Sequence, residues 1–177
     1  MAAGDTSLSI CSDALILLGA APISSFTEGS DAAQACDRLY PDVRDTLISN
    51  YLWSWSVQKQ QLGRLSTVPV DEWKYAYQLP GDMLSGVIAL FQSSGLGQQP
   101  VRYGWEIYGD QIYTNFEEVF VDYQASVAES KMPNYFVRLL RTAVASELAF
   151  VITDQVSKAD YFRALAYGSQ ADSGRGG

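Results

Sequence analysis

The chain has 177 residues, of which 47% are hydrophobic and 18% charged. That balance supports a globular fold with a real core and excludes an intrinsically disordered chain. Twelve Lys and Arg stand against twenty Asp and Glu, a net charge of −8, which argues against tight wrapping of nucleic acid, since that needs bases to neutralise phosphates.

The charge is uneven. Residues 1–50 carry seven acids and two bases, residues 71–130 nine acids and two bases, and residues 131–170 five bases and three acids. A locally basic stretch therefore lies within an acidic protein. No basic region precedes the apolar residues of the N-terminus, so a secretory signal is not expected. The run Ala14–Ile23 is too short to cross a bilayer, and a soluble protein of a reducing cytoplasm is the expectation.

Residues 5–19 predict a first helix. Asp5, Thr6 or Ser7 can cap it, Leu8, Cys11, Leu15 and Leu18 share a face, and Gly19 closes it. A loop follows over residues 21–26, with Ile23 and Phe26 as apolar anchors. Ser30 or Asp31 caps a second helix over 31–51 with Ala32, Cys36, Leu39, Val43 and Leu47 on one face, and Pro41 inside it predicts a kink or break. Cys11 and Cys36 read as buried small hydrophobes, with a disulfide between the two helix faces as the less favoured reading.

Trp53-Ser54-Trp55-Ser56 is a dense aromatic patch. Residues 57–70 are polar and are expected to be extended or irregular. Tyr75, Tyr77 and Leu79 alternate, and Val87–Phe91 reads as a strand. Residues 92–100 predict a flexible loop. Val101–Tyr108, Gly109-Asp110 and Gln111–Phe116 give a hairpin, and Val119–Ala125 a further strand. Pro133 opens a third helix to about Thr153 with Val137, Leu140, Val144, Leu148 and Val151 on its face. A fourth helix spans about 156–167 with Ala159, Phe162 and Ala166. Residues 168–177 carry nothing to pack a core and are expected to form a mobile tail.

The expected fold is α+β, mainly α: a helical bundle of residues 1–56 and 130–167 with a small antiparallel β segment, 57–129, inserted.

Chemistry is sparse. The chain has no histidine, which removes Ser-His-Asp and Cys-His catalysis and His-ligated metal sites. Two cysteines 25 positions apart make no zinc motif, and neither a phosphate-binding loop nor a dinucleotide fingerprint occurs. Gly95-Leu96-Gly97 reads as a loop tip. Asp71-Glu72 and Glu117-Glu118 are adjacent pairs, better placed for water than for acid–base work. Glu147 reads as a salt-bridge partner for a neighbouring helix or subunit. No catalytic, metal or cofactor residues are assigned, and no enzyme activity is expected.

Trp53, Trp55, Trp73 and Trp105 suit core or subunit-interface packing better than base stacking, because few bases lie near them. Arg138 and Arg141 share a helix face and with Arg163 make a basic patch. That patch is either a solvated face or a contact to an acidic neighbouring protein. Arg138, Arg141, Arg163, Trp53 and Trp55 are therefore the candidate interface residues, toward a neighbouring subunit or a partner protein.

Several segments carry a resemblance. Ala14-Leu15-Ile16-Leu17-Leu18-Gly19 running into Pro22-Ile23 resembles the opening helix and loop of phage tail tubular protein A, the head-to-tail adaptor family of tailed phages. Leu39-Tyr40-Pro41-Asp42-Val43-Arg44-Asp45-Thr46-Leu47 is similar to the family's second helix. Trp53-Ser54-Trp55-Ser56 sits where the family has an aromatic segment, and Tyr75-Ala76-Tyr77-Gln78-Leu79-Pro80-Gly81-Asp82 is similar to its next one. Beyond residue 90 the likeness is one of general plan. The resemblance implies a virion structural protein at the head–tail junction, assembled in the host bacterial cytoplasm. Such proteins form a ring, commonly of twelve subunits, between the portal protein and a downstream tail or nozzle protein. The genome DNA passes through the channel without specific binding, and an acidic lining would repel it. No cofactor and no membrane are implied. A head-completion or adaptor protein of a long-tailed phage or gene transfer agent is the near alternative. A carboxylate-dependent cell-wall hydrolase and a nucleic-acid module using the Trp patch are more distant ones.

Overall fold

The computed structural model describes residues 5–153 and 156–168. The described residues hold four α-helices, one 3-10 turn and six strands: α1 (Ser7–Leu18), α2 (Asp31–Ser49), β1 (Val57–Gln61), β2 (Tyr75–Gln78), β3 (Met83–Phe91), β4 (Trp105–Tyr108), β5 (Gln111–Thr114), β6 (Phe120–Ala125), the 3-10 turn Glu129–Lys131, α3 (Asn134–Ile152) and α4 (Val156–Tyr167). They fall into two compact units. One joins both ends of the chain, through Leu47 and from Val127 onward, and the other is Ile48–Ser126.

The fold is a mixed α+β fold, which corrects the expected helical bundle with a small β insertion. The strands make two three-stranded antiparallel sheets, in the orders β1-β6-β3 and β2-β5-β4. The underestimate has a physical cause. Residues 57–61 are expected only to be extended or irregular, because Gln58, Lys59, Gln60 and Gln61 offer no apolar alternation, and all four are exposed. They form a strand through backbone pairing along β6, from Val57 opposite Gln124 to Gln61 opposite Phe120. The unit boundaries also fall about nine and three residues earlier than the expected insertion of 57–129.

In the helical unit, α1 begins on a reciprocal cap. Thr6 Oγ1 accepts from Ser9 N–H at 3.1 Å, and Ser9 Oγ accepts from Thr6 N–H at 2.9 Å. It ends at Gly19, whose left-handed φ of 80° lets its N–H reach the Ile16 carbonyl at 2.9 Å. Ile10, Cys11, Ala14, Leu15 and Leu18 are buried, and both cysteines are free and buried. The connection to α2 is organised by Glu28. Its carboxylate accepts from Ser24 N–H, Ser24 Oγ and Ser30 Oγ, and these bonds, the Ser24 backbone donor foremost, lower its pKa to about 2. Ser30 Oγ in turn accepts from Ala33 N–H at 3.1 Å, opening α2.

Helix α2 continues through Pro41, where a kink or break was expected. Pro41 and Asp37, the residue whose carbonyl loses its helical donor, are both on the exposed side, where water can replace the missing bond. Helix α3 starts from Pro133, whose carbonyl takes the Val137 N–H at 3.0 Å. Its buried face is broad, running from Phe136 and Val137 through Leu140, Val144 and Leu148 to Ala149, whereas Val151 is exposed. The expected tail, 168–177, lies outside the described residues except for Gly168.

In the β unit one apolar core takes residues from both sheets, among them Tyr77, Leu90, Ile112, Val121 and Tyr123. Tyr77 Oη donates toward the carbonyls of Phe116 and Glu117, at 2.8 and 2.7 Å, so its phenol is satisfied inside the core. Gln124, almost fully buried, points its Nε2 at the carbonyls of Ile48 and Tyr51 and at Ser56 Oγ, at 2.7, 2.8 and 3.0 Å. That amide fastens the aromatic segment before β1 onto β6.

Candidate functional site

The helical unit exposes more large apolar side chains than a closed fold needs. Ile16 and Leu17 on α1, Phe150 and Val151 on α3, and Val156, Tyr161 and Leu165 on α4 are all exposed. Scattered exposed apolar residues are ordinary, but contiguous ones mark contacts with other proteins. These are contiguous in one place. Leu17, Tyr135, Leu139, Tyr161 and Leu165 line a groove of ≈560 Å3 between α1, α3 and α4. Phe162 forms part of its wall and is itself buried.

The groove is built by helix packing and one cap. Lys158 Nζ donates to the Leu18 carbonyl at 3.0 Å, placing a cation at the C-terminus of α1 and tying α4 to it. Arg138 and Arg141 project from one face of α3 along the groove. They differ in state. Arg141 Nη1 lies 2.7 Å from Asp13 Oδ2 on α1, whereas Arg138 makes no ion pair among the described residues. Arg163 does not join them. It lies 3.8 Å from Glu147 Oε1, so Glu147 has the neighbouring-helix partner expected of it. Among the described residues the basic patch thus reduces to two guanidiniums at the groove, Arg141 paired with Asp13 and Arg138 in no ion pair.

Trp53 and Trp55 belong to the β unit. Their rings stack with centroids 6.2 Å apart, and Tyr51 lies 4.8 Å from Trp53. Both tryptophans are half-buried. Trp105 is partly buried and packs against the β-unit core, its Nε1 donating to the Val101 carbonyl at 3.1 Å. The carboxylate pairs gather no catalytic geometry: Asp71 takes the Trp73 N–H at 3.1 Å in a local turn, and Glu117 and Glu118 are exposed. Among the described residues no group of three or more potential metal ligands occurs, and no helix is long and apolar enough to cross a membrane.

The sequence reading missed the apolar groove walls. A signal for them was present, since Leu15-Ile16-Leu17-Leu18 is apolar on every side of α1, and such a helix needs partners all round. On α4, Tyr161 and Leu165 lie off the stripe that carries Ala159 and Phe162.

No protein-family model matches the chain, and a comparison with curated proteins finds no match.

Proposed function

We propose that this protein is a structural subunit, a head-to-tail adaptor that forms a ring between the portal and the tail of a tailed phage. The ring leaves a channel for the genome. The observation that carries this reading is the exposed apolar surface on α1, α3 and α4 of an otherwise well-packed unit. Surface of this kind is costly in water and is stabilised when a neighbour covers it. The reading is further supported by the four N-terminal segments that resemble the adaptor family and by the acidic balance, which suits a channel that DNA must leave freely.

In this account the protein acts by assembly. Burial of apolar surface between copies supplies the driving force, and charge sets which surfaces meet. The portal protein and a downstream tail protein are the further partners. Electron microscopy of portal rings with and without the chain tests the reading. An added ring of density with an open centre is the expected result, and bare portals at saturating chain would overturn it.

A further inference from the structure

We propose that the groove between α1, α3 and α4 receives the segment Val68-Pro69-Val70-Asp71-Glu72 of a second copy of this chain. The inference rests on the reading of the protein as a self-assembling subunit, and it names the two surfaces that meet.

The groove sets the requirement. Its walls are apolar, from Leu17, Tyr161 and Leu165, and its charged edge is α3. Asp13 already occupies Arg141, so Arg138 is the cation left for an incoming group. The matching ligand therefore has exposed apolar side chains followed within a few residues by an unengaged carboxylate.

Exposed apolar segments in the β unit differ in whether they meet it. In the β4–β5 hairpin, Ile107 and Tyr108 are exposed, but Glu106 accepts the Tyr108 phenol and Asp110 accepts Gln78 Nε2 at 2.8 Å. Its carboxylates are engaged. Leu96 is fully exposed in a loop of Gly, Ser and Gln with no acid beside it. In the 68–72 segment, Val68 is 71% exposed and Val70 is fully exposed. Asp71 closes a local turn onto Trp73, and Glu72 makes no ion pair among the described residues. Pro69 stiffens the segment, which lowers the entropy lost on docking. Residues 169–177 hold no large apolar side chain to fill the groove.

Two different surfaces of one chain then meet, groove to segment. Such a heterologous contact repeats from copy to copy and closes into a ring when the rotation allows.

The test uses the full chain and a fluorescein-labelled peptide of residues 66–73, read by anisotropy. Saturable capture is expected. It should weaken about tenfold for R138E, with recovery when the peptide carries Glu72→Lys. Leu165→Asp gives a second, charge-independent loss. In parallel, R138E and E72K each reduce self-association of the full chain, and the double variant regains it. No peptide capture, together with unchanged assembly of R138E and L165D, overturns the docking and leaves the ring reading intact. Capture by a chain that never assembles, with or without portal, keeps the docking and overturns the ring.

Discussion

Tyr40 on α2 donates its phenol to Glu129 Oε1 at 3.1 Å, and Arg44 Nη1 lies 3.4 Å from the same oxygen. One carboxylate in the 3-10 turn thus fastens the start of the C-terminal half to the N-terminal helix pair, inside a single unit. Replacing Glu129 by Ala leaves the buried Tyr40 phenol without its acceptor and leaves Arg44 with Asp45 alone, 2.7 Å away. The expected loss is about 1–3 kcal/mol, read as a fall in the urea midpoint. Tyr40→Phe removes only the donor and should cost about 1 kcal/mol.

The same contact makes stability sensitive to alkali. Burial, and then the neighbouring charge of Glu129, push the Tyr40 phenol well above its ordinary value, and burial raises Tyr77 and Tyr123 as well. A group whose folded pKa lies above its unfolded one contributes stability that is complete below the unfolded value and is lost as pH rises past it. Stability should therefore hold to about pH 10, the ordinary tyrosine value, and fall above it. Denaturation midpoints at pH 8, 10 and 11 check this, and a decline of equal size in Tyr40→Phe would show that Tyr40 contributes none of it.

Gln124 is the corresponding fastener in the β unit. Changing it to Leu keeps the volume but removes the donor to the Ile48 carbonyl and Ser56 Oγ and leaves the Tyr51 carbonyl with the Trp53 N–H alone. A loss of about 1–3 kcal/mol is expected. The loosening should be local, so amide exchange should rise first in residues 48–56 and the Trp53 and Trp55 emission should shift to longer wavelength. Uniform exchange across the unit would contradict the assigned role.

How much of this was legible in the sequence depends on whether a segment's own residues or its partners decide its form. Helix α1 was legible because Thr6, Ser9 and Gly19 are local signals and Cys11, Leu15 and Leu18 repeat at helical spacing. Strand β1 was legible only as extended or irregular, because its side chains are mostly exposed and its partners on β6, the paired backbone with Asp122 and Tyr123, are distant in sequence. At Pro41 the helix does not break, for a similar reason: the cost of the proline depends on whether the orphaned carbonyl can be wetted, which is a property of the folded surface. Arg138, Arg141 and Arg163 stood out as bases in an acidic chain. Which of them remains unengaged depends on Asp13 and Glu147, one of them distant in sequence from its partner.

Phe162 and Leu165 are neighbours on one helix with opposite predictions. Phe162 is buried, and Phe162→Ala should cost about 3–5 kcal/mol of stability. Leu165 is 54% exposed, and Leu165→Asp should change the stability of the single chain by at most about 0.5 kcal/mol. It should nevertheless weaken assembly. Thermal unfolding beside native mass separates the two effects, and an L165D chain that assembles like wild type would remove α4 from the interface.

The most direct measurement is the native mass of the full chain by light scattering, first alone across a range of concentrations and then with its portal protein. The account predicts a ring-sized species, or a stoichiometric complex that forms once the portal is present. A chain that stays monomeric at every concentration and ignores the portal would contradict it.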